Sequence, residues 1–295
     1  MKPSPFTYHR PRSVTEAVEM LAELGDEGKV LAGGQSLVPL MSMRLAAPAN
    51  LVDINHLPEL DSVEVTETHV RVGAMARHSR LERDETAHAA IPLLRQGLTN
   101  VAHPTIRNRG TTVGSLVHAD PAAEMPAVLA LLGGEVELRG TDGERAVSAD
   151  SFFVGPMESA VRSGELAVAA SFRRPPAGSG SAFVELARRH GDYAMCGVGA
   201  LVTTDADEAL TVARVVLISV GDGPVVVDVT PAVTGSGGGF NPETLRDLVD
   251  GPIDPESDIH ATADYRRHLA HVLTARALDQ AHAHASRSRR RERAA

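Results

Sequence analysis

Two glycine-rich segments of this sequence carry residue types that could bind phosphate groups. The first, residues 32–37 (AGGQSL), follows a short apolar run, Lys29 to Ala32, that predicts a strand. Paired glycines let backbone N–H groups converge on an anion without obstruction by a Cβ atom, and Gln35 and Ser36 add side-chain donors. The pattern is typical of an anion cradle or of an ordinary strand-to-helix turn.

The second segment, residues 107–124 (RNRGTTVGSLVHADPAAE), places Gly, Thr and Ser donors before a predicted helix with Asp120 as its N-cap and Pro121 in its first turn. The unpaired N–H groups of a first helical turn favour negative charge. Residues 102–120 lack hydrophobic periodicity, which is typical of a functional loop or of disorder. Two such loops in one domain would suit a dinucleotide with two phosphates.

Other residue constellations do not predict chemistry. No Gly-x-Gly-x-x-Gly follows a predicted strand, since the nearest case, residues 197–202, ends in Val and lies inside a strand pattern. His118, Asp120 and Glu124 could be written as metal ligands, but an N-cap explains Asp120 better. We therefore predict no metal site and no catalytic residue in this chain.

Composition limits the class of protein. The 295 residues are enough for roughly two domains, and a net charge of −9 argues against a nucleic-acid-binding face. One cysteine, Cys196, excludes a disulfide framework and an iron–sulfur cluster ligated by this chain alone. No apolar run approaches the roughly 20 residues of a membrane-spanning helix, and the N-terminus lacks the pattern of a signal peptide. A cytoplasmic protein is expected.

The sequence predicts some of the elements that must position the two loops. Capping boxes at Ser13–Glu16 and Ser79–Glu82 predict helix starts. Hairpins are predicted at 63–72 and 135–148, and the linker candidate is Arg174 to Gly180. We predict an α+β domain over 1–176, a smaller sheet-plus-helices domain over 180–286, and a disordered basic tail over 287–295.

Four long stretches, in the right order, resemble the FAD-binding medium subunit of the molybdenum hydroxylases, the family of xanthine dehydrogenase and aerobic carbon monoxide dehydrogenase. They are AGGQSLVPLMSMRLAAPANLVDIN (32–55), TIRNRGTTVGSLVHADPAAEMPAVLA (105–130), RRHGDYAMCGVGA (188–200) and DIHATADYRRHLAHVLTARAL (258–278). The resemblance covers nearly the whole chain.

The resemblance implies a fold and a division of labour. The fold is α+β: an FAD-binding domain of two subdomains, followed by a C-terminal three-stranded antiparallel sheet with a helical bundle. The implied partners are a small subunit with [2Fe–2S] clusters and a large molybdopterin subunit, in a dimer of heterotrimers. FAD on this chain would pass electrons from the clusters to an external acceptor.

The resemblance also implies cofactor-binding residues. The first loop would wrap the pyrophosphate, a second wall would face it, Glu124 would accept from a ribose hydroxyl, Leu166 would pack near the flavin or adenine, and Tyr193 would control access to the flavin ring. The full set is Lys29, Val30, Leu31, Ala32, Gly33, Gly34, Gln35, Ser36, Leu37, Ala102, Gly110, Thr111, Gly114, Ser115, Glu124, Leu166 and Tyr193.

One position departs from the family pattern. Where Thr-Ile-Gly-Gly-Ser is common, this chain has Thr111-Thr112-Val113-Gly114-Ser115. A valine in place of glycine is strained if the position needs a positive φ and costs little if it does not. Two other functions stay open from the sequence: a stand-alone FAD-dependent oxidoreductase, and a flavin-free assembly module derived from this fold. The sequence identifies neither the substrate nor the electron acceptor.

Overall fold

The computed structural model describes residues 2–235 and 239–294. Its helices are α1 (Val14–Leu24), α2 (Leu37–Ser42), α3 (His78–Arg83), α4 (Glu85–Ala90), α5 (Pro92–Leu98), α6 (Pro104–Arg107), α7 (Thr112–His118), α8 (Glu124–Leu132), α9 (Ala149–Phe152), α10 (Pro242–Asp250) and α11 (Ala263–Ala294). No helix among the described residues is long and apolar enough to cross a membrane.

The strands in the same residues are β1 (Thr7–His9), β2 (Gly28–Leu31), β3 (Asn50–Asp53), β4 (Val63–Val65), β5 (His69–Gly73), β6 (Glu135–Gly140), β7 (Gly143–Ser148), β8 (Phe153–Gly155), β9 (Glu158–Ser159), β10 (Leu166–Arg173), β11 (Ser179–Leu186), β12 (Cys196–Thr204), β13 (Leu210–Ile218), β14 (Val225–Asp228), β15 (Val233–Thr234) and β16 (Gly239–Phe240).

The described residues form two compact units, and neither is continuous in sequence. The first unit comprises the chain up to Ala90, then His103–Ala119 and Gly133–Arg173. The second comprises Ile91–Ala102, Asp120–Leu132 and the chain from Arg174 onward. Helices α5 and α8 therefore pack with the C-terminal unit, although they precede the linker candidate in sequence.

A small parallel sheet of the first unit, in the order β1-β3-β2, carries the first glycine-rich loop at the end of β2. The amphipathic helix α1 packs against β2 and β3, and its apolar residues, such as Val18 and Leu21, are buried. The N-cap predicted at its start forms, because Ser13 Oγ accepts a hydrogen bond from the Glu16 N–H (3.1 Å). The Glu16 carboxylate accepts from the Arg12 N–H (2.6 Å) and does not complete a capping box with Ser13.

A second sheet of the first unit is antiparallel, in the order β4-β5-β10-β6-β7. Both predicted hairpins lie here, β4 with β5 and β6 with β7. Burial alternates along β6 and along most of β5, so one face of these strands carries a core. In β10 adjacent residues are buried in pairs, and the register with β6 shifts between Ala167 and Ala169.

The second unit is built on an antiparallel sheet in the order β11-β12-β13-β14. The sheet has four strands, which corrects the three-stranded prediction. Its fourth strand, Val225–Asp228, follows a Gly-Asp-Gly-Pro turn and is too short to stand out in the sequence. It pairs with β13 from Arg214 to Leu217, and that long-range pairing makes it a strand.

Helices cover both faces of this sheet. Alternate residues of β12, from Cys196 to Val202, pack in one core cluster with α10 and α11, whereas Gly199 faces Leu131 of α8 on the other side. The backbone of α11 approaches β11 so closely that a Cβ on Gly180 would lie 2.1 Å from the Ala281 carbonyl oxygen. Glycine is required at that crossing.

Helix α11 continues through Ala294, which corrects the predicted disorder of the basic tail for residues 287–294. Arg289 Nη2 donates to the Thr204 carbonyl oxygen (2.7 Å), so the part of α11 that follows Ser286 is hydrogen-bonded to the end of β12. A run of arginines is compatible with helix, because arginine has high helix propensity.

Candidate cofactor-binding site

The first glycine-rich loop has the form of an anion cradle. Residues 32–36 connect β2 to α2, and Gly34 has φ of 72°, which glycine adopts without strain. Among the residues that the structure describes, none accepts a hydrogen bond from the backbone N–H groups of residues 33–36. Gly33 is buried and the next three residues are half-buried. Partly buried, unpaired N–H groups favour an anionic acceptor.

The two glycine-rich loops meet within the first unit. A Cβ on Gly33 would lie 2.5 Å from the Arg109 carbonyl oxygen and 2.8 Å from Gly110 Cα. Real Cβ atoms do not approach backbone that closely, so glycine at 33 is a condition of the contact. The structure thus brings Gly33 and Gly110 of the predicted set together.

A chain of side-chain hydrogen bonds joins the loops from behind. Asn55 Nδ2 donates to the Ala32 carbonyl oxygen (2.8 Å), and Arg77 Nη2 donates to Asn55 Oδ1 (2.7 Å). Arg77 Nη1 in turn donates to the Arg109 carbonyl oxygen. Asn55 and Arg77 were missed by the sequence prediction. One signal was present for Asn55: it follows β3, whose carboxyl end lies beside that of the parallel strand β2.

Asp53 fixes the orientation of Asn55. Its Oδ1 accepts from the Asn55 backbone N–H (2.9 Å), and its Oδ2 accepts from the Tyr8 hydroxyl. Burial by itself would raise the pKa of this carboxyl group, but the hydrogen bonds from Tyr8 and Asn55 outweigh burial and lower the pKa below the ordinary value. Asp53 therefore stays ionised and holds the amide side chain.

The second loop begins at the last residue of α6 and contains the short helix α7, and Gly110 lies between these two helices. Thr111 is the N-cap of α7, and its Oγ1 accepts from the Gly114 N–H (3.1 Å). Val113, the departure from the family pattern, is a buried residue inside α7 and is not among the positive-φ positions. A valine there is compatible with the backbone and causes no strain of the kind that a positive φ would cause.

His78 supports the second loop from below and was also missed by the sequence prediction. It is 4% exposed, its Nδ1 lies 3.2 Å from Thr112 Oγ1, and its backbone N–H donates to the Gly110 carbonyl oxygen (3.0 Å). Burial and the nearby positive charge of Arg107 lower the pKa of His78 to about 4. The imidazole is therefore neutral at physiological pH and serves the structure of the loop.

The remaining predicted residues of the first unit lie in regular elements. Lys29, Val30 and Leu31 are in β2, Leu37 opens α2, and Ser115 is in α7. Gln35 Nε2 donates to the Gly33 carbonyl oxygen (3.2 Å), so this side chain braces the loop. Leu166 begins β10 and is buried in the antiparallel sheet.

Ala102, Glu124 and Tyr193 belong to the second unit. Glu124 begins α8, and Ala102 has φ of 43° after α5. Tyr193 lies in the connection between β11 and β12 and is 70% exposed, so it is not a core aromatic on a strand. Although the ring is largely exposed, partial desolvation of the hydroxyl, followed by the charges of Asp120 and Glu124, raises the pKa of Tyr193.

Comparison with known families decides the identity. Residues 4–172 match the model of the FAD binding domain in molybdopterin dehydrogenase, and residues 181–281 match that of the CO dehydrogenase flavoprotein C-terminal domain. The chain belongs to the FAD-binding medium subunits of the molybdenum hydroxylase family. The resemblance found in the sequence is thereby confirmed, as are the α+β fold class and the assignment as an oxidoreductase subunit.

Relatives of this medium subunit match over nearly their whole length. The caffeine dehydrogenase subunit beta of a Pseudomonas species is 38% identical over 95% of this chain and 96% of the relative. The carbon monoxide dehydrogenase medium chain of Afipia carboxidovorans is 34% identical over 97% and 99%, respectively.

Solved structures agree. A carbon monoxide dehydrogenase from Hydrogenophaga pseudoflava superposes with a TM-score of 0.90 at 33% identity, over 96% of this chain and 99% of the other. Quinoline 2-oxidoreductase from Pseudomonas putida gives 0.87 at 34% identity, over 97% and 99%, respectively.

Proposed function

We propose that this medium subunit binds FAD through the cradle of residues 32–36 and relays electrons between an iron–sulfur partner subunit and an external acceptor. Two observations support the proposal most strongly. The backbone of Gly33 approaches that of Arg109 and Gly110 closely, and the neighbouring N–H groups donate to no described residue. The cradle matches the chemistry of a pyrophosphate, which offers several anionic oxygen acceptors.

The chain's own residues would bind and orient the cofactor. The N–H groups of residues 33–36 would donate to phosphate oxygens, and the Asn55–Arg77 pair would keep the two loops at a fixed separation. When bound, FAD supplies the electron-accepting and electron-donating chemistry. The predicted contacts of Ala102, Glu124, Leu166 and Tyr193 with FAD stay part of this proposal and rest on the family resemblance.

The partner subunits are inferred from chemistry and from the names of relatives. Several relatives are named as subunits or medium chains of dehydrogenases or of a hydroxylase. This chain has one cysteine, which is fully buried, and burial raises the pKa of its thiol to about 12. It is therefore no source of thiolate ligands for a cluster. We propose that a small subunit carries [2Fe–2S] clusters and a large subunit carries molybdopterin, in a dimer of heterotrimers.

The substrate is proposed to be chosen by another subunit. Similar relatives are named for caffeine, nicotine and carbon monoxide, compounds with no common shape. A medium subunit that is alike across these enzymes would serve a shared electron-transfer step.

The proposal is tested by calorimetric titration of the full chain, freed of flavin, with FAD and FMN, together with isolation of the native complex from its host. We expect tight binding of FAD and weak binding of FMN, and co-purifying chains that contain iron and molybdenum. Absence of FAD binding would leave the flavin-free assembly module. FAD binding with substrate oxidation by the isolated chain would establish the stand-alone oxidoreductase instead.

A further inference from the structure

Arg77 differs from the other shielded arginines of the first unit in having no carboxylate partner. Of the arginines that the structure describes in this unit, five are buried or half-buried: Arg71, Arg77, Arg107, Arg139 and Arg145. Four of them pair with a glutamate at N–O distances between 2.7 and 3.7 Å, whereas Arg77 forms no ion pair with a described residue. A guanidinium group that is partly removed from water without a counter-ion is costly.

Two hydrogen bonds fix the Arg77 guanidinium beside the cradle. Its Nη1 donates to the Arg109 carbonyl oxygen, the atom that would lie 2.5 Å from a Cβ on Gly33. Its Nη2 donates to Asn55 Oδ1 (2.7 Å), and Asn55 Nδ2 donates to the Ala32 carbonyl oxygen (2.8 Å). Both acceptors of the guanidinium therefore contact cradle residues directly, and all of these residues belong to the first unit.

The Arg77 guanidinium has further donors that the described residues do not use. An arginine carries five N–H groups, and Arg77 uses two of them. Phosphate oxygens are acceptors that suit a guanidinium, which offers both charge and a fork of donors. The backbone N–H groups of residues 33–36 also have no described acceptor. An anion at the cradle would therefore serve the charged and the neutral donors together.

The charges that face Arg77 leave its own charge unbalanced. Burial and then the positive charge of Arg109 lower the pKa of Arg77, and the smaller effects of Asp61 and Asp53 act in the opposite direction. Both carboxylates already accept hydrogen bonds from other side chains. Because an arginine stays protonated at physiological pH, two positive charges remain in one neighbourhood. An anion relieves their repulsion.

We propose that Arg77 is the counter-ion of the cradle: its guanidinium balances the negative charge of the pyrophosphate that residues 33–36 hold. Backbone N–H groups supply donors but carry no net charge, so an anion with two negative charges is stabilised by a nearby cation. This role is separate from the link that Arg77 and Asn55 make between the loops. The inference rests on the FAD-binding function proposed above.

The first measurement is the FAD dissociation constant of the full chain, freed of flavin. Arg77→Gln should weaken binding by about tenfold to a hundredfold, the effect of one charge a few ångströms away near a protein surface. Arg77→Lys keeps the charge and should recover part of the affinity. Arg80→Gln is the matched control, because it removes an exposed arginine of the same segment that is paired with Asp61. Equal affinity in Arg77→Gln and wild type would overturn the inference.

The second measurement separates the charge of Arg77 from its link to Asn55. Between about 0.1 M and about 1 M sodium chloride, the Debye length falls from roughly 10 Å to roughly 3 Å. FAD affinity should fall over this range in wild type, in Arg77→Lys and in Asn55→Ala, which breaks the link but keeps the charge. It should fall less in Arg77→Gln.

The outcomes of the salt series are distinguishable. The same salt dependence in Arg77→Gln and wild type would show that Arg77 only links the loops and would overturn the inference. A wild-type affinity that does not change with salt would also overturn it, even if Arg77→Gln failed to fold. Absence of FAD binding by the wild type at every salt concentration would overturn the proposed function instead.

Discussion

At the scale of single residues, the proposed cofactor site depends on glycines, which have no Cβ atom. Gly33 and Gly110 approach each other as backbone against backbone, and a methyl group at 33 would collide with both Arg109 and Gly110. The sequence shows the glycines, but their contact joins positions 77 residues apart. A residue far along the chain therefore decides why Gly33 must be glycine.

Gly33→Ala should lower FAD content at least about tenfold and destabilise the first unit by about 1–3 kcal/mol, the usual cost of overpacking. Gly140→Ala is the matched control, because its added Cβ would meet only Glu165 Cγ at 3.6 Å. FAD content after purification and the urea midpoint check both effects. Equal FAD content in the two variants would contradict the assigned cradle.

His78 gives a second prediction, on stability against pH. Its pKa is about 4 in the folded chain against an ordinary value of 6.5, so the unfolded chain takes up a proton first as the pH falls. The contribution of this pKa difference to the free energy of unfolding is fully present above pH 6.5. As the pH falls towards about 4, the free energy of unfolding decreases by roughly 3 kcal/mol.

Urea unfolding at several pH values measures this slope. His78→Asn should be less stable at neutral pH but should show a flatter decline in acid, because the titrating group is gone. His260→Asn, at an exposed position, should keep the wild-type slope. An unchanged acid slope in His78→Asn would show that other groups cause it.

At the scale of elements, one of the two helix starts predicted from capping motifs is correct. Ser13 caps α1 as predicted, but the box at Ser79–Glu82 does not start a helix: α3 begins at His78, and Ser79 lies inside it. Glu82 instead accepts two hydrogen bonds from the buried Arg107 (2.8 and 3.2 Å). A carboxylate that serves as partner to a buried guanidinium is unavailable for a cap.

The connection between β11 and β12 carries the third prediction, because Tyr193 is exposed there and packs in no core. Tyr193→Ala should leave the melting temperature within about 2 °C, as surface substitutions do, and should leave FAD largely bound. If the ring controls access to the flavin, reoxidation of the reduced protein by oxygen should change in rate.

Stopped-flow reoxidation is the measurement, and Tyr193→Phe is the control that keeps the ring and removes the hydroxyl. The phenylalanine variant should reoxidise like the wild type. Unchanged rates in both variants, or a strongly lowered melting temperature in the alanine variant, would refute the proposed role.

At the scale of the whole molecule, the absence of reactive side chains in the cradle bears on how FAD is held. Neither glycine-rich segment, 32–37 or 107–124, offers a His or Cys placed for an obvious flavin linkage, and Cys196 is buried with its thiol protonated. We therefore predict noncovalent FAD. Acid precipitation should release the flavin into the supernatant, and flavin retained on the washed precipitate would disprove the prediction.

The family and its cofactor could be read from the sequence because long motifs with glycines in fixed places encode a backbone shape that few side chains permit. Val113 shows the limit of such reading: whether it was strained depended on its φ, and only its place inside α7 answered that.

The tertiary structure alone decided which segments share a core. Helices α5 and α8 belong with the C-terminal sheet, β14 becomes a strand by pairing with β13, and Asn55 and Arg77 join two distant loops. Periodicity and propensity act over a few residues, whereas burial, pairing and pKa depend on neighbours that the fold brings from far along the chain.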